Sequence, residues 1–332
     1  MFDPPKPAPA AHRPSRLLAR TTRLCACLAV LACAPAAAGA APARTPLGLV
    51  PAGGIAVLRL DWSAVRADPL LRSAVKADEL EKVFERVGVR GVEVSEAVIF
   101  LDLAEPSRAA PAMILRGLRL RPGLAALRAR GWGGGDFRGY RLHTEGAGDG
   151  CVAQLRSGFV VAGTRATVER VIAVETGTTP AVTADEKFRL LSSHAAAGAH
   201  PVSLMMMLPQ EYSDAADVMV LAASVLLDFA GLGPVGTVLD KVGLARGVGF
   251  SFGRAAGGVT VQLFALMRDE RAAGLVSGTL TLLKGAASLM KRRAESESDR
   301  RARQVFESMN VTRTGAAVSV RLTLPEPEVF RR

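Results

Sequence analysis

Cysteine, histidine and aromatic side chains are scarce in this chain of 332 residues, and no apolar run is long enough to span a bilayer. Each shortage excludes something. Of the four cysteines, Cys25, Cys27 and Cys33 lie near the start and only Cys151 lies in the body. One thiol cannot close an internal disulfide, so the fold does not rest on oxidation, and a buried, inert Cys151 is expected. Beyond His12, the histidines are His143, His194 and His200. None is spaced with another, or with Cys151, as metal ligands are, so no metal or other cofactor is expected. Aromatics make up 5% of the chain, which leaves the core to Val, Leu, Ala and Met. Two apolar helices of the body are candidates for a span: 218–227, bracketed by Asp217 and Asp228, and 272–283, ending at Lys284. Both fall short of the roughly 20 residues a span needs and read as buried core helices. The Gly274/Gly278 spacing then reads as close packing against a sheet rather than a membrane motif.

What is present begins with the leader. Arg13, Arg16, Arg20 and Arg23 precede an apolar run, 24–32, and small Ala- and Pro-rich residues follow to Ala43. A basic segment, a short hydrophobic core and a small-residue exit make a bacterial-type export signal. Residues 1–43 are therefore read as signal and spacer, with the working protein outside the cytoplasm, in the periplasm or lipid-anchored at the cell envelope. Two exits compete. Val30-Leu31-Ala32-Cys33 resembles a lipobox, which makes Cys33 the candidate lipidation site, although Leu31 is not the usual small residue. Ala38-Gly39-Ala40 fits ordinary cleavage. Acylation at Cys33 anchors a protein without any spanning helix; ordinary cleavage discards all three leader cysteines. The stretch before Leu24 is long for a leader, so a start codon further in is an expectation left open.

Apolar content of 49% marks a folded globular body rather than a disordered one. Lysine and arginine number 42 against 31 acids, a net charge of +11. The densest basic cluster, Lys291-Arg292-Arg293 with Arg300-Arg301-Arg303, is interleaved with Glu295, Glu297 and Asp299. That pattern is a solvated helix pair, not a nucleic-acid stripe. The remaining positive charge suits either an anionic envelope surface or plain solubility.

The body reads as two halves with one grammar: 44–184, a linker at 185–200, and 201–332. Residues 55–61 alternate, with Ala56, Leu58 and Leu60 on one face and Arg59 and Asp61 on the other, a half-buried strand. Leu80, Val83, Phe84 and Val87 keep helical spacing. Strands at 94–103 and 112–118, a short helix from Pro122 to 130, a glycine loop at 133–135, strands at 140–144, 151–155 and 159–162, and a helix at 165–175 complete the first half. The second repeats the order: a strand at 202–208, an apolar helix at 213–230 capped by Ser213, alternating strands around Val248–Phe252 and Val259–Leu263, helices at 269–290 and 299–309, and a closing hairpin at 311–324. In that hairpin Val318, Val320, Leu322 and Leu324 face in, Ser319, Arg321 and Thr323 out. Such alternation specifies an α+β fold of mainly antiparallel sheets with helices packed on one face, built from two similar strand–helix–hairpin–helix–hairpin halves. The similarity is read as an ancient duplication.

Several motifs offer chemistry and lose it in context. Gly249-Phe250-Ser251-Phe252-Gly253 matches G-x-S-x-G. A nucleophile elbow needs a strand-to-helix turn with its histidine later in the chain. Here Ser251 sits inside a strand and the last histidine is His200. Ser73-Ala74-Val75-Lys76 matches S-x-x-K, one helical turn apart, as in penicillin-recognising enzymes. Its partner motifs are missing: the nearest segments are Lys241-Val242-Gly243 and Ser213-Asp214-Ala215. Gly231-Leu232-Gly233-Pro234-Val235-Gly236 matches a dinucleotide fingerprint but follows a helix, not a strand. Asp102, Glu105, Asp136, Glu145 and Asp149 read as ordinary solvation of sheet ends, with no acid/base pair assigned. Met205-Met206-Met207 in a strand places methionine on both faces, which suits core more than a ligand groove.

With its export signal and the openings Val57-Leu58-Arg59-Leu60-Asp61 and Asp68-Pro69-Leu70, the chain resembles a family of uncharacterised exported bacterial (lipo)proteins with a duplicated α+β unit. That resemblance implies no activity. The sequence therefore points to an exported envelope protein without catalytic machinery, binding or scaffolding another envelope macromolecule. No catalytic, cofactor or metal residue is assigned, and no nucleic acid is expected as partner. Membrane attachment is expected only through an anchor at Cys33. Two alternatives stand beside it: a carrier or sensor of an apolar ligand such as a lipid, and an S-x-x-K serine enzyme using Ser73.

Overall fold

The computed structural model describes residues 45–325 apart from 54, 103–110, 119, 147, 198, 208–244, 256–257 and 291–306. The leader with Cys33, the 213–230 helix, the Gly231–Gly236 fingerprint, Glu105 and the 291–303 basic cluster lie outside the described residues. Of the 299–309 helix only the last turn falls within them.

The first half opens with β1 (Ile55–Asp61), followed by three short helices, α1 (Trp62–Ala67), α2 (Pro69–Ala74) and α3 (Ala77–Arg86). Asp61 caps α1 through Ala64 N–H, and Asp68 caps α2 through Leu70 and Leu71 N–H, with Pro69 preset at its first turn. Then come β2 (Val94–Asp102), β3 (Pro111–Gly117), α4 (Leu124–Ala129), β4 (Gly133–Phe137), β5 (Tyr140–Thr144), β6 (Gly150–Gln154), β7 (Val160–Thr164) and α5 (Arg165–Glu175). A 3-10 turn leads to α6 (Glu186–Ala197), and the second half supplies β8 (Val202–Met207), β9 (Ala245–Ala255), β10 (Gly258–Met267), α7 (Glu270–Met290), β11 (Asn310–Thr314) and β12 (Ala317–Pro325).

The twelve strands among the described residues form one antiparallel sheet, in the order β11-β12-β10-β9-β8-β1-β2-β3-β7-β6-β5-β4. The fold is α+β. The halves meet where β1 pairs with β8, Leu58 opposite Leu204. Outward from that seam each half runs first, second and third strand, then its closing hairpin; the first half adds β4–β5 at its far edge. Those two strands are where the first half departs from the shared grammar. The glycines at 133–135 read as a loop because they bring no side chain to a pleated surface, yet their backbone pairs with 142–144.

The segment 185–200, expected as a linker, is folded. Asp185 accepts from Lys187 and Phe188 N–H to start α6, and Phe188, Leu191 and Ala195 bury its inner side against β8, β9 and β10. Helices lie on both sheet faces. Leu191 of α6 sits over Gly247, whereas Ala272, Ala273, Val276 and Leu280 of α7 cover Val318, Val311 and Ala265 on the opposite side. Covering by α6 is why Ser319, assigned to solvent by the alternation, is buried. α7 is not the fully buried helix its composition suggested: Leu275 and Leu282 are exposed. Among the described residues no helix is long and apolar enough to cross a membrane.

Candidate functional site

β9 presents a different face to each of the two layers. Val248, Phe250 and Phe252 point one way; Gly247, Gly249, Ser251 and Gly253 point the other, toward α6. The second row is nearly free of side chains, and neighbours fill it. A Cβ on Gly249 would lie 2.3 Å from the Phe264 ring and 2.6 Å from the Leu204 carbonyl; one on Gly253 would lie 2.7 Å from Pro201. The glycines of the G-x-S-x-G motif thus serve close packing.

Ser251 is the one polar side chain in that row, and register extends it sideways. Arg59, Ser203, Ser251, Gln262 and Arg321 stand opposite one another on five neighbouring strands. Residues directly opposite share a face and come within reach. Ser203, Ser251 and Gln262 are buried; the two arginines reach toward solvent at either end. Gln262 Nε2 donates to Ser319 Oγ at 3.0 Å and to the His194 carbonyl at 3.5 Å, while its Oε1 accepts from Arg321 at 3.4 Å. At the other end Arg59 Nε donates to Glu96 at 2.8 Å, and Arg116 approaches the same carboxylate at 3.7 Å.

Into this row comes His200, from the turn ahead of β8. Its Nδ1 lies 2.9 Å from Ser251 Oγ. Burial lowers the His200 pKa, the Arg321 charge lowers it further, and the hydrogen bond to Ser251 partly opposes both. The imidazole is therefore neutral at neutral pH. The structure joins a serine and a base that sequence order had kept apart, because the histidine precedes the serine by 51 residues. The geometry of a nucleophile and base is present, but a nucleophile must also meet a substrate, and Ser251 has no exposed surface. In the folded state the pair acts as a polar tie between the turn before β8 and the sheet.

The other candidates stay apart. Ser73 is exposed near the end of α2, but the helix breaks before Lys76, whose φ of +50° is left-handed and whose ammonium approaches Glu79 at 3.8 Å. The two do not share one helical face as the four-letter pattern predicts. Cys151 is buried, and burial pushes its thiol up to about 11. His143 stands opposite Val152, its pKa lowered by burial and by Arg141 and Arg128. Asp136 lies opposite Arg141 in the β4–β5 ladder. Met205 and Met206 point to opposite faces and both are buried. Among the described residues no group of three His, Cys, Asp or Glu side chains could hold a metal ion.

The architecture defines an α+β protein with a single continuous antiparallel sheet. No family model matches the chain, and no curated protein matches it. Among solved structures it is similar to TP0453 in crystal form I (9% identity, TM-score 0.45, covering 84% of this chain and 92% of that one) and in crystal form IV (10% identity, TM-score 0.44, covering 84% and 93%).

Proposed function

We propose that the chain is an exported cell-envelope protein that binds or scaffolds another envelope component and carries no catalytic centre. The observation behind this reading is the burial of the serine in the Ser251–His200 pair: the best-equipped nucleophile in the described residues meets its base at 2.9 Å but has no exposed surface. The export leader supplies the location, with Cys33 as candidate anchor, and the matching strand order of the two halves supports descent from a duplicated unit. The mass of the mature N-terminal peptide distinguishes an acylated Cys33 from cleavage after Ala40. Turnover on a panel of ester, amide and β-lactam substrates, lost in Ser251→Ala or Ser73→Ala, would overturn the non-catalytic reading.

A second reading rests on the other sheet face. Leu58, Leu204, Phe250 and Leu263 stand opposite one another and are half-buried, an apolar strip across four strands that suits an apolar ligand. Native mass spectrometry of protein from its own host tests it: a reproducible absence of co-purified lipid counts against a carrier.

A further inference from the structure

One end of the sheet carries apolar side chains standing out in water among arginines. Val92, Leu118 and Leu124 are 64%, 89% and 42% exposed. They come from three segments that the backbone ties together. Val94 pairs with Gly117, and a Cβ on Gly117 would fall 1.9 Å from the Glu93 carbonyl oxygen, so the chain before β2 and the chain after β3 touch. Gly123, at the entry to α4, donates to the Gly88 carbonyl at 2.7 Å. The Val92 turn is held from beneath: Trp62 Nε1 donates to the Gly91 carbonyl at 3.1 Å, and Gly91 leaves no room for a side chain against Phe84. The three segments that carry the exposed apolar residues are thus tied to one another through the backbone.

Positive charge predominates around them. Residues 116–130 contain five arginines and no acid; residues 85–93 add two arginines and two glutamates. Arg90 pairs with Glu93 and Arg116 reaches Glu96, while Arg121 and Arg128 are exposed. Exposed aliphatic side chains are unfavourable in water and gain from an acyl environment. Arginines around them gain near an anionic headgroup layer. Nucleic acid fits less well, since single strands are held by stacking on aromatic faces and the exposed apolar groups here are Val and Leu.

We propose that this sheet end docks on an anionic phospholipid bilayer, with Val92, Leu118 and Leu124 entering the interface and Arg121 and Arg128 facing the headgroups. It deepens the envelope reading by naming the component bound, and it adds a membrane contact independent of any anchor at Cys33.

The test is co-sedimentation of the purified, leader-free chain with vesicles of phosphatidylcholine alone or mixed with phosphatidylglycerol. Binding to the mixed vesicles, little to the neutral ones, and release by salt are expected. Val92→Ser with Leu118→Ser should weaken binding roughly tenfold for each side chain that enters the acyl layer. Arg121→Ser and Arg128→Ser should weaken it about fivefold each. Leu282→Ser, on the exposed side of α7, and Arg313→Ser, on β11, should leave it unchanged. Any of four results overturns the proposal: no binding to the mixed vesicles, equal binding to neutral ones, equal loss in Leu282→Ser, or tighter retention of a DNA oligonucleotide than of vesicles. Should the apolar double variant fail to fold, the arginine pair and the salt dependence of the unmodified chain decide. Vesicle binding by purified protein is separate from export, so its failure and a cytosolic location in fractionation remain distinguishable.

Discussion

Replacing Ser251 by alanine separates a structural tie from a reactive centre. The hydroxyl has no exposed surface, and it meets His200 Nδ1 at 2.9 Å. An intramolecular hydrogen bond contributes about 1 kcal/mol net, and a stranded buried partner costs about 1–3 kcal/mol more. His200 is only part-buried, so water relieves some of that cost. Ser251→Ala should therefore lower the unfolding free energy by about 1–2 kcal/mol, seen as an earlier urea midpoint with an unchanged slope. A cycle with His200→Ala should return a coupling of about 1 kcal/mol. The pH dependence adds a second reading of the same bond. Burial and Arg321 hold the His200 pKa below 6.5 in the folded chain, while the unfolded chain takes up its proton near 6.5. The unfolded state then binds more protons, so stability falls as pH drops below 6.5 and is fully recovered above it. His143, also lowered, acts in the same direction. Ser251→Ala removes the one contact that raises the His200 pKa, so the decline with acid should start from a less stable protein and steepen; His200→Gln should leave only the share of His143. A variant as stable as the parent with no coupling, or one that abolishes a measurable turnover, would refute the reasoning.

Three further outcomes follow from the same geometry. Gly249→Ala forces a methyl group against the Phe264 ring and the Leu204 carbonyl and should cost about 1–3 kcal/mol in urea unfolding, by overpacking; a neutral result would show that the row beneath α6 is loose. Cys151, with its thiol pushed up to about 11, should resist a disulfide reagent in the folded, leader-free chain and react at once in denaturant; rapid native labelling contradicts its burial. Lys76→Gly should raise stability by about 1 kcal/mol, because a left-handed φ of +50° costs a side chain about that much and the exposed pair with Glu79 contributes little; a lower melting temperature would count against it.

Alternation made the strands legible: 55–61 is β1, and the 165–175 helix is α5 to the residue. It could not reach what lies across strands. α1 and α2 are six-residue helices whose local signals are the caps Asp61 and Asp68 and the proline at position 69. β4 opens with three glycines, which carry no alternation of their own and are placed by pairing with β5. The polar row from Arg59 to Arg321 depends on the register of five strands, and its members are scattered from 59 to 321 in the sequence. Ser251 and His200 meet for the same reason, which is why a chain-order rule set them aside. The arginines around Leu118 were countable in the sequence, five without an acid in 116–130, but the exposure of the leucine was not.

The β1–β8 seam has a consequence for how the chain is made. β1 is the first strand of the sheet to emerge, yet one flank of its backbone waits for β8, which arrives after all of the first seven strands. Until then a row of amides and carbonyls stands open, a template for any strand that passes. A product truncated before Val202 should accordingly pair with itself through β1 and run as a dimer or aggregate, whereas the full chain closes that flank from within.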